Sequence, residues 1–202
     1  MTRVACIVEG HGEVSALPLL LRRMAELSDP DAYIDVPQPI RVSRDRFINR
    51  PEEFSRHLLL AGSKSGNDGW ILVLLDADDA CPATLGSELL ARAKEVLPNH
   101  SVSVVIANRE FEAWYIGAAE SLNGFRGFRL DEEDLAIDAE VPRDAKGWLG
   151  KRMDGGYGET TDQPAFAARM NLQQALDRCR SFRKLWKELD RYIALRKGCE
   201  GD

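Results

Sequence analysis

The sequence predicts an α/β fold: a doubly wound, mainly parallel four-stranded sheet flanked by helices, followed by a loop-rich and helical C-terminal extension. Short apolar runs alternate with stretches of helical periodicity up to about residue 120. The run "WILVLLD" is apolar until it reaches aspartate, which is typical of a strand buried on both faces of a parallel sheet. With 202 residues and 44% apolar composition, the chain can form one globular domain with a sizeable core.

The elements of the first half follow from local patterns. The strand-like run "RVACIV" precedes "EVSALPLLLRRMAELS", a helical pattern in which Pro18 fits the first turn. The stretch "YIDVPQPIRV" holds two prolines and predicts an irregular or edge strand. Pro51 and two following glutamates indicate a helix start. After "WILVLLD", a helix over "TLGSELLARAKEVL" and a β-branched strand over "SVSVVIAN" complete residues 1–120, the predicted core.

The pattern changes in residues 121–202, which we expect to pack on that core as an extension within one compact domain. Residues 123–163 are rich in glycine and charge without a sustained period, and so long a connection favours a lid or a substrate-facing insertion. One or two amphipathic helices close the chain. The basic, aromatic stretch "RCRSFRKLWKELDRYIALRK" either contacts a nucleic-acid backbone or packs its apolar face and leaves its charges in solvent.

Composition and charge narrow the functional classes. The net charge of −6 produces no overall positive field that would attract nucleic acid or an anionic membrane, although a metal held by carboxylates can supply local positive charge. No apolar run is long enough for a membrane span or a signal peptide. The four cysteines form no CxxC pair, so we expect a reduced, cytoplasmic setting, with homo-oligomerisation left open.

Carboxylates follow three of the expected strands, and ligands gather at the carboxyl ends of parallel strands. These acidic residues are Glu9, Glu13, Asp76, Asp78, Glu110 and Glu112. Grouped carboxylates repel one another unless a cation or a raised pKa compensates, and oxygen ligands favour Mg²⁺ or Mn²⁺ over zinc. The alternative for the Asp-x-Asp pair is a turn in which aspartate caps the next helix.

The stretch "EGHGE" after the first strand is the most informative segment. Gly10 and Gly12 are expected to turn the backbone tightly so that Glu9 and Glu13 face the same cation. His11 is interpreted as a rim residue, although it is a further candidate ligand. A phosphate-binding loop is the alternative, but the segment lacks the GxxxxGK[ST] pattern and carries two anions.

Two further expectations concern the later strand ends. Asp76 is expected to be an exposed strand-end residue that contributes little to the core. The stretch "NREFEAWYI" has two interpretations. In the first, its aromatic residues are buried in the core, and Glu110 and Glu112 are solvated or paired with arginines. In the second, Glu110 or Glu112 extends the acidic site.

The combination of "IVEGHGE" and "LLDADD" resembles the Toprim domain of topoisomerases, bacterial primases and OLD-type nucleases. The resemblance implies a Toprim-like fold in which Glu9, Asp76 and Asp78 carry out metal-dependent catalysis. Glu13 matches the second acidic residue of the OLD-type branch. The implied activity is Mg²⁺- or Mn²⁺-dependent phosphodiester hydrolysis of nucleic acid, or related phosphoryl transfer. A late basic residue is also implied, and the candidates are Lys146, Lys151, Arg152 and Arg169.

A broader resemblance rests on "IVEGHGEVSALPLLLRR", "ILVLLDADDACPATLG", "VVIANREFEAWYI" and "YGETTDQPAF" followed by "RCRSFRKL". Together they are similar to a bacterial family of about this length that is grouped with Toprim-like proteins and often encoded beside an ATPase. This resemblance implies an ATPase partner. It therefore leaves a second hypothesis, a non-catalytic partner or sensor subunit of an ATPase complex.

Overall fold

The computed structural model describes residues 2–199. The strands are β1 (Thr2–Val8), β2 (Ile34–Asp35), β3 (Ile40–Arg41), β4 (Trp70–Asp76) and β5 (Ser101–Ala107). The α-helices are α1 (Glu13–Ser28), α2 (Arg44–Asn49), α3 (Pro51–Ser65), α4 (Pro82–Val96), α5 (Ala113–Gly117), α6 (Ala119–Leu122), α7 (Ala145–Gly150), α8 (Asp162–Arg169), α9 (Leu172–Arg178) and α10 (Arg180–Cys199). Two 3₁₀ turns, Phe125–Gly127 and Glu132–Ala136, lie between α6 and α7.

The strands form a parallel sheet in the order β2-β1-β4-β5, which confirms the predicted fold class. β2 pairs with the beginning of β1 and β3 pairs with its end, so the two short strands are pieces of one interrupted edge. Pro37 and Pro39 lie between them. Because proline has no backbone N–H to donate, the edge breaks at this point, as the two prolines predicted.

The sheet separates two layers of apolar side chains. Leu72 and Leu74 of β4 face the layer that contains α1 and α10, while Ile71 and Val73 face the layer that contains α3 and α4. Every residue of β4 is buried. This two-sided burial is the physical reason for the uninterrupted apolar run in the sequence.

The C-terminal residues share the first of these layers. α8 packs along α1, and Phe166 and Phe182 are fully buried there. The Tyr192 ring of α10 stacks on Trp70 of β4, with 5.3 Å between ring centroids. The apolar face of α10 therefore packs in the core, as the second interpretation of this helix predicted.

One detail of α1 differs from the expectation. Pro18 is the sixth residue of the helix and lies in its second turn, rather than in the first turn, where a missing N–H has no consequence. Within residues 2–199, no helix is long and apolar enough to cross a membrane.

Candidate metal centre

A cavity of about 390 Å³ opens at the carboxyl end of the sheet. Side chains from the β1–α1 turn, the end of β4, the β3–α2 connection and residues 146–159 of the extension meet there. The charged residues that line it are Glu9, Glu13, Asp76, Asp78, Glu159, Arg41, Arg44, Asp45 and Lys146, with His11 beside them. The four carboxylates predicted from the ends of β1 and β4 thus line one cavity.

The turn after β1 is closed by the side chain of Glu13, the first residue of α1. Glu13 Oε2 accepts hydrogen bonds from the backbone N–H groups of Glu9, at 3.0 Å, and Gly10, at 3.2 Å. Burial nevertheless raises the pKa of Glu13 to about 7. Burial also raises the pKa of Glu9, whose Oε2 is enclosed without a hydrogen-bond partner among the described residues.

The two glycines lie in the bend and turn between β1 and α1, and they permit close approach of other groups without adopting left-handed conformations. Neither has a positive φ, and Gly12 is α-helical at φ −69° and ψ −37°. A Cβ on Gly12 would lie 1.8 Å from Gln163 Oε1 and 2.3 Å from the Glu159 carbonyl oxygen. A Cβ on Gly10 would lie 3.0 Å from Glu13 Oε1. Glycine is therefore needed because other groups pack directly against the backbone.

Asp76 is buried, with 7% of its surface exposed, so the expectation of an exposed strand-end residue was wrong. Its Oδ1 accepts a hydrogen bond of 2.8 Å from the backbone N–H of Phe111. Burial raises its pKa well above the ordinary value, and the nearby charges of Glu13 and Glu112 raise it further. The segment that follows β5 therefore lies over the end of β4 and covers this carboxylate.

Asp78 has an exposed side chain on a strained backbone. Asp78 and Arg109 both adopt left-handed conformations, at φ 50° and φ 65°. Two hydrogen bonds connect these residues. The Asp78 N–H donates to the Arg109 carbonyl oxygen, and Arg109 Nη1 donates to the Asp78 carbonyl oxygen. Such strained positions cluster at functional sites.

Sequence reasoning did not find Arg44, which secures the same strand end. Its Nε donates to the Asp76 carbonyl oxygen at 2.8 Å, and its Nη2 donates to the Ala77 carbonyl oxygen at 3.1 Å. Its Nη1 lies 3.3 Å from Asp78 Oδ2. The stretch "RVSRDRF" holds three arginines, and nothing local distinguishes Arg44 for this role, which depends on the pairing of β3 with β1.

The two glutamates of "NREFEAWYI" have different positions. Glu110 Oε2 accepts a hydrogen bond from the backbone N–H of Lys146, at 2.9 Å. Glu112 is fully buried; its Oε1 accepts from the Tyr157 hydroxyl at 3.2 Å, and its Oε2 has no partner among the described residues. Burial raises the pKa of Glu112 to about 8.

The first of the two interpretations of this stretch holds in part, and the second stays a prediction. The aromatics Phe111, Trp114 and Tyr115 are core residues, as the first interpretation stated. Its second half was wrong for Glu112, which is fully buried and, within residues 2–199, is not paired with an arginine, whereas Glu110 is partly exposed.

Lys146 is the one of the four late basic candidates that lines the cavity. Its Nζ lies 3.1 Å from Glu159 Oε1. Burial by itself lowers the pKa of Lys146, but the carboxylates of Glu112, Glu159 and Asp76 outweigh burial and raise it. The ammonium group is therefore the local counter-charge of the acidic groups.

The other three candidates lie elsewhere. Arg152 forms an ion pair with Asp134 and lies over the Trp148 ring. Arg169 lies over the Phe125 ring, and Lys151 is exposed at the end of α7. His11 is exposed at the rim of the cavity.

The carboxylate oxygens that line the cavity are ligands of the kind that a hard divalent cation prefers. These carboxylates include Glu9, Glu13 and Asp76, whose pKa values are raised by burial, and the enclosed Glu9 Oε2 has no donor among the described residues. Over residues 2–199, however, no three His, Cys, Asp or Glu side chains are already arranged as a metal-holding group. A cation would therefore have to draw the side chains together by rotation.

A family model matches residues 8–190, which include every residue of the cavity. The chain belongs to the DUF4276 family. The description of DUF4276 is a domain of unknown function, so the chemistry has to be argued from the cavity. No curated protein and no solved structure matches the chain.

Proposed function

We propose that this DUF4276 protein hydrolyses phosphodiester bonds, or carries out related phosphoryl transfer of the Toprim type, with Mg²⁺ or Mn²⁺ bound at the carboxyl end of the sheet. The observation that carries the proposal is the gathering of Glu9, Glu13, Asp76 and Asp78 in one cavity. Carboxylates drawn from two neighbouring strands meet there although they repel one another.

Electrostatics supports a bound cation. Burial raises the pKa values of Glu13 and Asp76, so the ionised forms of these carboxyl groups are disfavoured when no nearby cation compensates them. A divalent ion would favour the ionised forms and remove the repulsion. Bound at this place, it would supply positive charge to a phosphate group and lower the pKa of a bound water molecule.

The chain's own residues have separate roles in this proposal. Glu9 and Asp76 bind the cation, together with Asp78 and with Glu13 Oε1, the oxygen of Glu13 that does not close the turn. Lys146 and Arg44 line the same cavity and are placed to attract an anionic substrate. Burial raises the pKa of Glu9, and its Oε2, which has no partner among the described residues, is placed to accept a proton.

The position of the Asp-x-Asp pair supports the Toprim relation. The resemblance implies a glutamate after the first strand and Asp-x-Asp after the third. If β2 and β3 are counted as one interrupted edge strand, β4 is the third strand, and it lies directly beside β1. Glu9 and Asp76 therefore follow adjacent strands, as a shared cation requires.

The decisive experiment measures metal binding separately from cleavage. We expect Mn²⁺ to raise the melting temperature of the purified protein and to bind in calorimetry, and we expect Glu9→Gln and Asp76→Asn to lose both effects. Glu88→Gln, on the exposed face of α4, is the matched control. Cleavage of single-stranded and double-stranded DNA and of RNA is then assayed with Mn²⁺. Absence of Mn²⁺ binding would overturn the site, and binding without cleavage of any of these substrates would overturn the nuclease activity.

The second candidate is a non-catalytic partner or sensor subunit of an ATPase complex. It is favoured by the absence, within residues 2–199, of three acidic or other ligating side chains already arranged around a metal position. Assembly with an ATPase, and ATP hydrolysis by the complex, would then survive Asp76→Asn. Loss of the complex's activity in that variant would contradict this candidate.

A further inference from the structure

The backbone of Lys146 is fixed at the wall of the acidic cavity. Lys146 is the second residue of α7, and its N–H donates to Glu110 Oε2 at 2.9 Å. Asp144, the N-cap residue of the same helix, accepts from the Gly147 N–H at 2.8 Å. These two carboxylates hold the first turn of α7 in place, so the flexible stem of the lysine can change its rotamer without moving its Cα.

The ammonium group of Lys146 lies between the solvent and the buried carboxylates. Its Nζ is 3.1 Å from Glu159 Oε1, and 36% of the Lys146 side chain and 42% of the Glu159 side chain are exposed. Glu159 borders the β1–α1 turn, because a Cβ on Gly12 would lie 2.3 Å from the Glu159 carbonyl oxygen. The ion pair is therefore part of the cavity wall, with a partly exposed partner for the ammonium group.

The charge of Lys146 acts on four enclosed carboxylates at once. Burial raises the pKa values of these groups, and the positive charge of Lys146 opposes the rise in each of them: Glu9, Glu13, Asp76 and Glu112. Arg44 is less free to serve them, since two of its nitrogens donate to backbone carbonyl oxygens and the third lies beside Asp78. Lys146 is therefore the cation that compensates the buried carboxylates in the metal-free protein.

We propose that Lys146 is an internal counter-ion that competes with the divalent cation for the carboxylates of the cavity and thereby sets the affinity of the metal centre. The inference rests on the proposed metal site. A divalent ion bound by Glu9 and Asp76 would lie among the carboxylates that Lys146 compensates. Like charges repel strongly in an enclosed site, where the effective dielectric constant is below that of water. Binding of the ion therefore favours rotation of the ammonium group toward Glu159.

This role differs from two simpler roles of a lysine at this position. A lysine that only packed against its neighbours would stabilise the fold equally with and without metal. A lysine that only attracted an anionic substrate would leave the affinity for Mn²⁺ unchanged when no substrate is present. A competing cation, in contrast, makes the site bind Mn²⁺ more tightly once the ammonium group is removed.

The first measurement is the affinity for Mn²⁺ by calorimetry, without substrate. We expect Lys146→Met, which keeps an unbranched stem and removes the charge, to bind Mn²⁺ at least ten times more tightly than the parent. Lys151→Met is the matched control, because it removes the same charge from an exposed lysine at the end of the same helix, outside the cavity. It should leave the affinity nearly unchanged. Adding Asp76→Asn to Lys146→Met should abolish binding, which assigns the ion to this cavity.

The second measurement is the melting temperature in a chelating buffer and in saturating Mn²⁺. Lys146→Met should melt below the parent in the chelator and at or above it in Mn²⁺, because the bound ion supplies the missing charge and stabilises the folded state. Equal or weaker Mn²⁺ binding by Lys146→Met would overturn this inference without contradicting the metal centre, and so would a loss of melting temperature that Mn²⁺ does not reverse. If neither the parent nor Lys146→Met bound Mn²⁺, the metal centre would be wrong, and this inference with it.

Discussion

Replacing Gly12 by alanine would test whether the β1–α1 turn depends on close contact with the C-terminal extension. The added Cβ would meet the Glu159 carbonyl oxygen at 2.3 Å and Gln163 Oε1 at 1.8 Å. Gln163 is almost fully buried, so its side chain has little room to move away, and the carbonyl belongs to the backbone. Restoring ordinary contact requires displacements of roughly 1–1.6 Å in residues 159–163.

The expected cost follows from overpacking. A methyl group forced into a well-packed site typically destabilises by about 1–3 kcal/mol. Helix propensity gives no compensation, because Gly12 is the N-cap of α1, where alanine is less favourable than glycine. For a chain of this size each kcal/mol lowers the melting temperature by about 2–4 °C, so we expect a loss of about 2–12 °C.

Differential scanning calorimetry measures this loss, and Gly86→Ala provides the matched control. A Cβ on Gly86 would lie 3.5 Å from Ile106 Cγ1, an ordinary contact, within the interior of α4. That variant should be as stable as the parent or up to about 1 kcal/mol more stable. If Gly12→Ala melted at or above the parent temperature, the packing of residues 159–163 against the turn would not be the reason for glycine.

Three further predictions concern the buried charges. Asp76→Ala should be about 1–3 kcal/mol less stable in urea unfolding than Asp76→Asn, because only asparagine still accepts the Phe111 N–H; equal midpoints would contradict that hydrogen bond. The pKa of Glu112 is raised from 4.5 to about 8, so the folded protein binds more protons than the unfolded chain between these values. Its stability should therefore fall as the pH rises from about 5 to 8 in a chelating buffer, and Glu112→Gln should flatten the fall in melting temperature. Lys146→Met removes the counter-charge and should lower the melting temperature more at pH 8 than at pH 6, whereas a loss independent of pH would indicate a packing role only.

Local sequence patterns predicted the order of the strands and of the longer helices in the first half of the chain, although not the short helix α2. A run such as "WILVLLD" is buried on both faces whatever its neighbours are, and prolines interrupt an edge because they lack a donor. The prediction that Glu9 and Asp76 share one end of the sheet also followed, because the ends of adjacent parallel strands meet.

Tertiary contacts decided what each group at the site does. Nothing near Asp76 in the sequence shows that the Phe111 N–H covers it, and nothing near Gly12 shows that Gln163 packs on it. The selection of Lys146 over Arg152 likewise depends on where the extension folds back onto the sheet.

The open edge of β5 and the burial of Glu112 also separate what local sequence predicts from what tertiary contacts decide. The sequence predicted β5 as a strand and marked Glu112 as a candidate, since both follow from residue type and spacing. Which strand lies at the end of the sheet, and how completely a carboxylate is enclosed, depend on contacts between residues such as Glu112 and Tyr157, far apart in the chain. Burial sets the pKa of a carboxyl group such as Glu112, and the pairing of distant strands decides which strand lies at the edge of the sheet. Both are properties of the assembled fold, and local sequence patterns do not encode them.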